Sequence, residues 1–478
     1  MRMAFRYAIG MACWLCGLAS LVVLFGATAW GQASWEYSPY ANQVWLVTDG
    51  SPRLEEAVLE AKRELPAWSD SRMLYVWDLA VSEAPEKIAA RVREGFEGLT
   101  AIEILSLQPK CLEGDKLFLV RLQDGGGDID VQVCEVDCRT RNVGIAVSRK
   151  VSSLNLVVPT IAELLIKAFS PTTKIETIED VAVKTRLRAG GMIVDPQSPA
   201  LVEAGQVLLP VIRRDDRNGE PMKNGVLPLA WTVLSVKTRL DSLLVCELTS
   251  GFRTGIPTKV GARTVRYAVL AKPQLESTHV VLRSRGRGQL LSGYEVFSRA
   301  DADSEAQLLG VTDWRGSIEI PRNNGELMVL IVKNGNQLLA RLPLVPGYQG
   351  EAIATTIEDD ARLEAEGFVQ SFQGRIMDLV ARREILASRM RKRIEEKKFD
   401  DAAKLLEEFR TLENRADLKK TIDIQQQAIT SKDKLTQARI DKLIGNANKL
   451  NLRFLDPELG NVLAKELKAA TDKAQEGS

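Results

Sequence analysis

Between Gln43 and about Ile178, short apolar runs alternate with apolar residues set at helical spacing. "QVWLVTD" reads as a buried strand. In "RLEEAVLEAKREL", Leu54, Val58, Ala61 and Leu65 recur three or four apart and form one face of a helix. "RMLYVWDLAV" is a second strand, and "PEKIAARVREGF" is a second helix opened by proline. Four strand-like runs follow without a helix between them: "AIEILSL", "KLFLVRL", "IDVQVCEV" and "VGIAVSRKV". The glycine loop "QDGGGD" joins the second and third as a hairpin, and the helix "TIAELLIKAF" closes the unit. This predicts an α/β domain over 30–183, a crossover followed by a meander.

The pattern then turns to strands. "GQVLLPVIRR", "AWTVLSV" and "SLLVCELTSG", with the Asn-Gly turn in "DDRNGEP", predict a small barrel-like domain over 184–273. From 274 to 350, "THVVLRSR", "GYEVFSR", "LLGVTD", "GSIEIP", "LMVLIVKNG" and "NQLLARLPLV" predict a β-sandwich of about seven strands. Within it, Thr312-Asp313-Trp314-Arg315-Gly316 reads as the tight turn of a hairpin.

Gly293, Val296, Thr312, Asp313, Gly316, Ile318, Ile320 and Gly335 fall where the carboxypeptidase-regulatory-like (transthyretin-like) sandwich carries its motif. Residues 275–347 resemble that family. The resemblance implies a binding or spacing module without catalysis.

From 351 to 478 proline and aromatics thin out and charges of both signs rise. Phe372, Ile376, Leu379, Leu386 and Met390 follow a coiled-coil-like seam interrupted by Arg383. Residues 385–412, with "KKFDDAAKLLEE", resemble a tetratricopeptide helical hairpin, without a recurring period. A third helix is expected from Arg415 to about Ile444, ending at Gly445. A fourth is expected with Asp456 as N-cap and Pro457 in its first turn. The fold class is therefore multidomain α+β: an α/β domain, two small all-β domains and a helical hairpin or bundle.

Before all of this, Arg2 and Arg6 precede a long apolar run ending in Ala27-Thr28-Ala29, the form of a signal peptide over 1–29. Uncleaved, that run is long enough to anchor the chain in a membrane. Either way the remainder is expected outside the cytosol, periplasmic or extracellular. Cys13 and Cys16 belong to the leader. Cys111, Cys134, Cys138 and Cys246 then face an oxidising compartment, where pairing is the default. Setting Leu122 opposite Ile129 across the glycine loop brings Cys111 and Cys138 close to register, so this pair is the expected cystine.

The chain of 478 residues carries 64 basic and 63 acidic side chains, a net charge of +1, so no global field gathers nucleic acid. Its one histidine, His279, lies in a strand, which argues against Cys/His zinc sites and His-based nucleophile systems. No glycine-rich phosphate loop precedes a helix, and no cofactor or metal is expected. "RDDRNGE" reads as a hairpin turn rather than a calcium loop, and "DADSE" (Asp301, Asp303, Glu305) as a solvated acidic loop that leaves weak calcium binding open. Two local features remain. Asp49 and Asp78 follow strands of the α/β domain, where such sheets place ligands. Arg253 to Arg287 is rich in basic residues, with Arg263, Arg266, Arg283, Arg285 and Arg287 as candidates for an anionic envelope polymer.

The leading expectation is an exported, non-enzymatic cell-envelope protein. Its β-modules would space, and its helices would meet a protein partner or a second copy. The alternatives are a ligand-binding protein or enzyme at Asp49/Asp78, and a polymer binder at the basic region.

Overall fold

The computed structural model describes residues 35–251, 255–285, 288–299 and 305–476. The leader with Cys13 and Cys16, and also Arg253, Arg287, Asp301 and Asp303, lie outside the described residues.

The first module contains β1 (Tyr40–Thr48), α1 (Pro52–Met73), β2 (Trp77–Glu83), α2 (Glu86–Glu94) and α3 (Ala101–Leu107). It continues with β3 (Lys116–Asp124), β4 (Ile129–Asp137), β5 (Asn142–Val143), β6 (Val147–Val151) and α4 (Val157–Ala168). The strand order is β2-β1-β3-β4-β5, with β6 also on β4. β1 runs parallel to both β2 and β3. Alternate residues of β1 bury on opposite faces. Tyr40, Val44 and Leu46 pack with α1 and α4, whereas Trp45 and Val47 pack with α2 and α3. Covering both faces explains why these strands read as nearly continuous apolar runs.

One expected strand is a helix. "AIEILSL" forms α3, with the Thr100 side chain accepting from the Glu103 amide at 3.2 Å. Topology requires the crossover, because parallel β3 cannot follow β2 through a tight turn. The expected hairpin register is also corrected: Leu122 faces Val131, and Ile129 faces Asp124. Cys111 lies in the turn after α3, outside any strand, and all four described cysteines are free thiols. Cys111 and Cys138 nonetheless pack in one apolar cluster. Burial pushes the Cys134 thiol up to about 12 and that of Cys246 up to about 11.

The second module comprises β7 (Thr172–Glu179), β8 (Ala182–Leu187), β9 (Val207–Asp215), β10 (Pro221–Pro228), β11 (Thr232–Leu240), β12 (Leu243–Ser250) and β13 (Thr264–Leu270). β9-β11-β12-β8-β7-β13 returns to β9 and closes a six-stranded barrel, with β10 attached outside to β9. The ring takes in β7, which precedes the composition change near Lys184.

The third module has β14 (Ser277–Ser284), β15 (Glu295–Arg299), β16 (Gln307–Val311), β17 (Ser317–Pro321), β18 (Met328–Asn334), β19 (Gln337–Leu344) and β20 (Glu351–Thr356). Its two sheets are β17-β14-β20 and β16-β15-β18-β19. β20 lies past 350 and pairs parallel with β14. The Thr312–Gly316 turn is tight, as its residues predict: Asp313 accepts from the Arg315 and Ser317 amides at 2.9 and 2.8 Å. It is a corner rather than a hairpin within one sheet, because β16 and β17 belong to different sheets. Gly316 is needed at this corner. Its φ is +65°, and an added Cβ would stand 2.8 Å from the Leu282 carbonyl oxygen.

The helical region comprises α5 (Asp360–Glu395), α6 (Phe399–Thr411), α7 (Arg415–Ala428), α8 (Lys434–Phe454) and α9 (Leu459–Glu476). The expected seam on α5 is buried, but against the chain's own helices. Phe372, Ile376 and Leu379 pack with α7 and α8, and Leu386 and Met390 pack with α6 and α9. Arg383 sits where the two clusters meet, with its guanidinium 5.1 Å from the Phe409 ring and donating to the Glu413 carbonyl at 3.2 Å. The expected third helix is two. An Asn414 capping box starts α7, and Asp433 starts α8, which runs through Gly445. The last helix begins at Leu459, after Asp456 has accepted from the Glu458 amide.

Candidate functional site at the junction of the modules

The structure does not bring Asp49 and Asp78 together. Asp78 pairs beside Ala41 at the start of β1, whereas Asp49 follows the end of β1, so they occupy opposite ends of the sheet. Both are exposed. Asp49 caps a turn, accepting from the Ser51 and Asp124 amides at 2.9 and 2.7 Å. A cleft of about 370 Å³ does lie past β1 and β2, but it is walled by Glu55, Glu83, Glu86 and Arg93, without either aspartate.

The basic residues are also spread apart. Arg263 stands beside the β9–β10 end of the barrel. Arg266 donates to the carbonyls of Pro257, Thr258 and Glu176 in that module. Arg283 and Arg285 lie at the far end of β14 against β20 of the sandwich. His279 is an exposed strand residue between Glu319 and Glu351.

A different group of charges converges where the first module meets the barrel. Along β4, Ile129, Val131, Val133, Glu135 and Asp137 share one face. Lys116 stands opposite Asp137 on β3. Where the apolar face ends, the Lys116 ammonium lies 2.7 Å from Glu135 and 2.7 Å from Asp137. It also donates to the Ser170 carbonyl at 2.5 Å. Its side chain is fully buried, with Glu135 5% and Asp137 1% exposed. The second Glu135 oxygen accepts from the Ser170 amide at 2.6 Å, and Asp137 accepts from the Thr172 hydroxyl at 2.7 Å. The trio therefore clamps the segment from α4 into β7. Burial works against the Lys116 ammonium, but Asp137 and Glu135 outweigh it and hold its pKa above the lysine range. Burial likewise opposes the Asp137 charge, and Lys116 outweighs it and lowers that pKa. For Glu135 burial prevails, and its pKa is raised.

A second buried node adjoins it. Asp115 accepts from Arg139 at 2.9 Å, Arg188 at 3.0 Å and the Ala41 amide at 3.0 Å, which ties the barrel's Arg188 to the sheet. The Arg188 guanidinium lies 5.0 Å from the Trp35 ring and donates to the Pro39 carbonyl at 2.8 Å.

The sandwich reaches the same junction. Asn142 donates to the Tyr348 hydroxyl at 3.1 Å, and Lys272 donates to the Phe169 carbonyl. Burial pushes the Lys272 ammonium down to about 8, although Glu135 opposes the shift. Burial raises the Tyr348 hydroxyl to about 12. Because the Lys272 pKa is lower folded than unfolded, the unfolded chain binds more protons between about pH 8 and the ordinary lysine value near 10.4. The Lys272 penalty is thus full below pH 8 and is relieved as pH rises. Melting temperatures from pH 7.5 to 10 are expected to climb more, or fall less, in the wild type than in Lys272→Met. Parallel curves would refute this.

The Lys116 node was readable only in part. The signal was two acids continuing an inward-facing alternation past Val133. The partner lysine on β3 follows once the hairpin register is known. Lys272 and Tyr348 carry no such signal, since neighbouring modules bury them.

No family model matches the chain, and no curated protein matches it. Among solved structures, the crystal structure of TolB from Acinetobacter baumannii aligns at 10% identity, over 67% of this chain and 98% of its own, with a TM-score of 0.18. At that score the likeness carries no argument about fold or function.

Proposed function

We propose that this is an exported cell-envelope protein that acts by holding and docking. Its barrel and sandwich serve as spacers, and its helical region meets a protein partner or a second copy. The observation that carries this reading is the division of apolar surface in the helical region. The α5 seam is filled by the chain's own helices, yet Met377, Ile385, Ile424, Leu435 and Phe454 remain on the surface. These exposed side chains, carried on α5, α7 and α8, are the surface this reading offers to a partner, and a contiguous apolar patch among them would mark a binding face. Buried ionic joints at Lys116 and Asp115 suit a spacer, since they hold successive modules in fixed register. The two-sheet sandwich is in keeping with the carboxypeptidase-regulatory-like resemblance. Export rests on the apolar N-terminal sequence. Among the described residues, no helix is long and apolar enough to cross a membrane.

Cell fractionation of the full-length protein tests export, and recovery of the mature chain in the cytosol would end that part. Light scattering and chemical cross-linking of the exported protein test docking. Met377→Glu with Ile385→Glu is expected to abolish the larger species while leaving the circular dichroism spectrum unchanged. A wild type that is monomeric and cross-links to nothing in its native envelope would overturn the docking reading.

A further inference from the structure

Two cavities adjoin at the junction. One, of about 450 Å³, opens between barrel and sandwich and is walled by Leu209, Val211, Leu229, Trp231, Val233 and Val345, among others. The other, of about 250 Å³, lies where these modules meet the α/β module and is walled by Glu135, Ser170, Lys272 and Gln274, among others. Asn142, Tyr348 and Gln349 line both. An apolar chamber joined to a few polar groups, set between domains, is the usual form of a small-molecule site.

The polar cavity is short of negative charge at one point. Lys272 has three donor protons. Among the described residues its ammonium has one hydrogen-bond acceptor, the Phe169 carbonyl, and no carboxylate at ion-pair distance. Glu135 shares the wall, but its oxygens are committed to Lys116 and to the Ser170 amide. Tyr348 accepts the Asn142 amide proton, which leaves its own hydroxyl proton to donate. A largely desolvated ammonium without a contact counter-ion favours an incoming anion.

We propose that this junction binds an amphiphile with a single carboxylate head, the head meeting Lys272 and Tyr348 and the apolar body lying against Trp231 and its neighbours. One cation beside the Glu135 carboxylate suits a monoanion and disfavours a dianionic phosphate. The apolar chamber excludes small hydrophilic acids as good ligands, because they leave its walls uncovered. The site spans three modules, so occupancy also tightens their packing.

The test uses the full-length protein at pH 7 with three probes of equal chain length: decanoate, decan-1-ol and decylammonium. Calorimetry gives affinity, and Trp231→Phe identifies the fluorescence change that arises in the chamber. Decanoate is expected to bind at least ten-fold more tightly than decan-1-ol, and decylammonium more weakly than either. Lys272→Met is expected to remove the preference for decanoate without weakening decan-1-ol, and Lys272→Arg to keep it. Leu209→Trp, which fills the chamber, is expected to abolish binding of both. Should Lys272→Met fail to fold, the wild type still decides. The charged groups facing Lys272 are Glu135 and Lys116, and Tyr348 is the other titratable group in the wall. Decanoate affinity must therefore fall between pH 7 and 9.5 while that of decan-1-ol stays constant. Equal affinity for decanoate and decan-1-ol, or a preference that survives Lys272→Met, would overturn the proposal.

Discussion

Lys116→Met is expected to destabilise the joint between the α/β module and the barrel by about 3–5 kcal/mol, the usual result of removing one partner from a buried ionic group. The cause is less the lost attraction than what remains. Glu135 and Asp137 would stay almost completely buried, 2.7 Å from a vanished cation, with only the Ser170 and Thr172 groups and the Thr140 amide to satisfy them. The two carboxylates, two residues apart on one face of β4, would also repel each other once the ammonium between them is gone. Urea unfolding followed by tryptophan fluorescence checks this, because Trp77 packs on Phe169 beside the clamp, at 4.8 Å between rings. The triple variant Lys116→Met, Glu135→Gln, Asp137→Asn removes every charge of the trio and is expected to recover most of the loss. If the single variant unfolds at the wild-type midpoint, the clamp contributes nothing and the joint is held by apolar packing alone.

Arg362→Met is expected to loosen the joint between the sandwich and the helical region by a similar amount, about 3–5 kcal/mol. Arg362 is 3% exposed; it donates to Asp359 at 2.7 Å and to the Asn334 carbonyl at 2.9 Å, and pairs with Glu366 at 2.5 Å. Asp359 is 1% exposed, and its amide donates to the Tyr294 hydroxyl at 3.0 Å inside the sandwich. Burial already raises the Asp359 pKa against the pull of Arg362, so losing the arginine favours a neutral acid or an opened joint. Limited proteolysis distinguishes this from global unfolding: the first cut is expected near 356–360, with the barrel and α/β module left intact. Adding Asp359→Asn should restore resistance. An unchanged digestion pattern in the single variant would show that Arg362 does not hold the helices in place.

The two joints show how far the sequence could be read. Element type was legible wherever one periodicity ran long enough, as on the Leu54–Leu65 face of α1, in the glycine loop between β3 and β4, and along the α5 seam. It failed at "AIEILSL", where a seven-residue apolar run fits either period and the need for a crossover decides. Register was lost by two residues at the β3–β4 hairpin, because glycines in the loop leave the first pair unspecified. That slip, together with the position of Cys111 in the turn after α3 rather than in a strand, removes the expected Cys111–Cys138 register.

The candidate site was harder to read than the fold. Asp49 and Asp78 stand out in the sequence only by their positions after strand-like runs. Asp78, however, is the second residue of β2 itself, because α1 extends to Met73 and delays the strand. Lys116, Glu135 and Asp137 carry no mark of a site in the sequence beyond their place in strand alternation, and Lys272 and Tyr348 carry none.

The sequence by itself determined the succession of an α/β unit, two β-rich units and a helical end, since each follows from local periodicity and turn chemistry. Tertiary structure decided the closing of the barrel, the Thr312–Gly316 turn as a corner between sheets, and the filling of the α5 seam from within. It also decided which charges are buried together. The reason is physical: burial and ion pairing depend on residues such as Lys116 and Thr172, or Asn142 and Tyr348, that meet only after separate modules pack, and no local pattern records that distance.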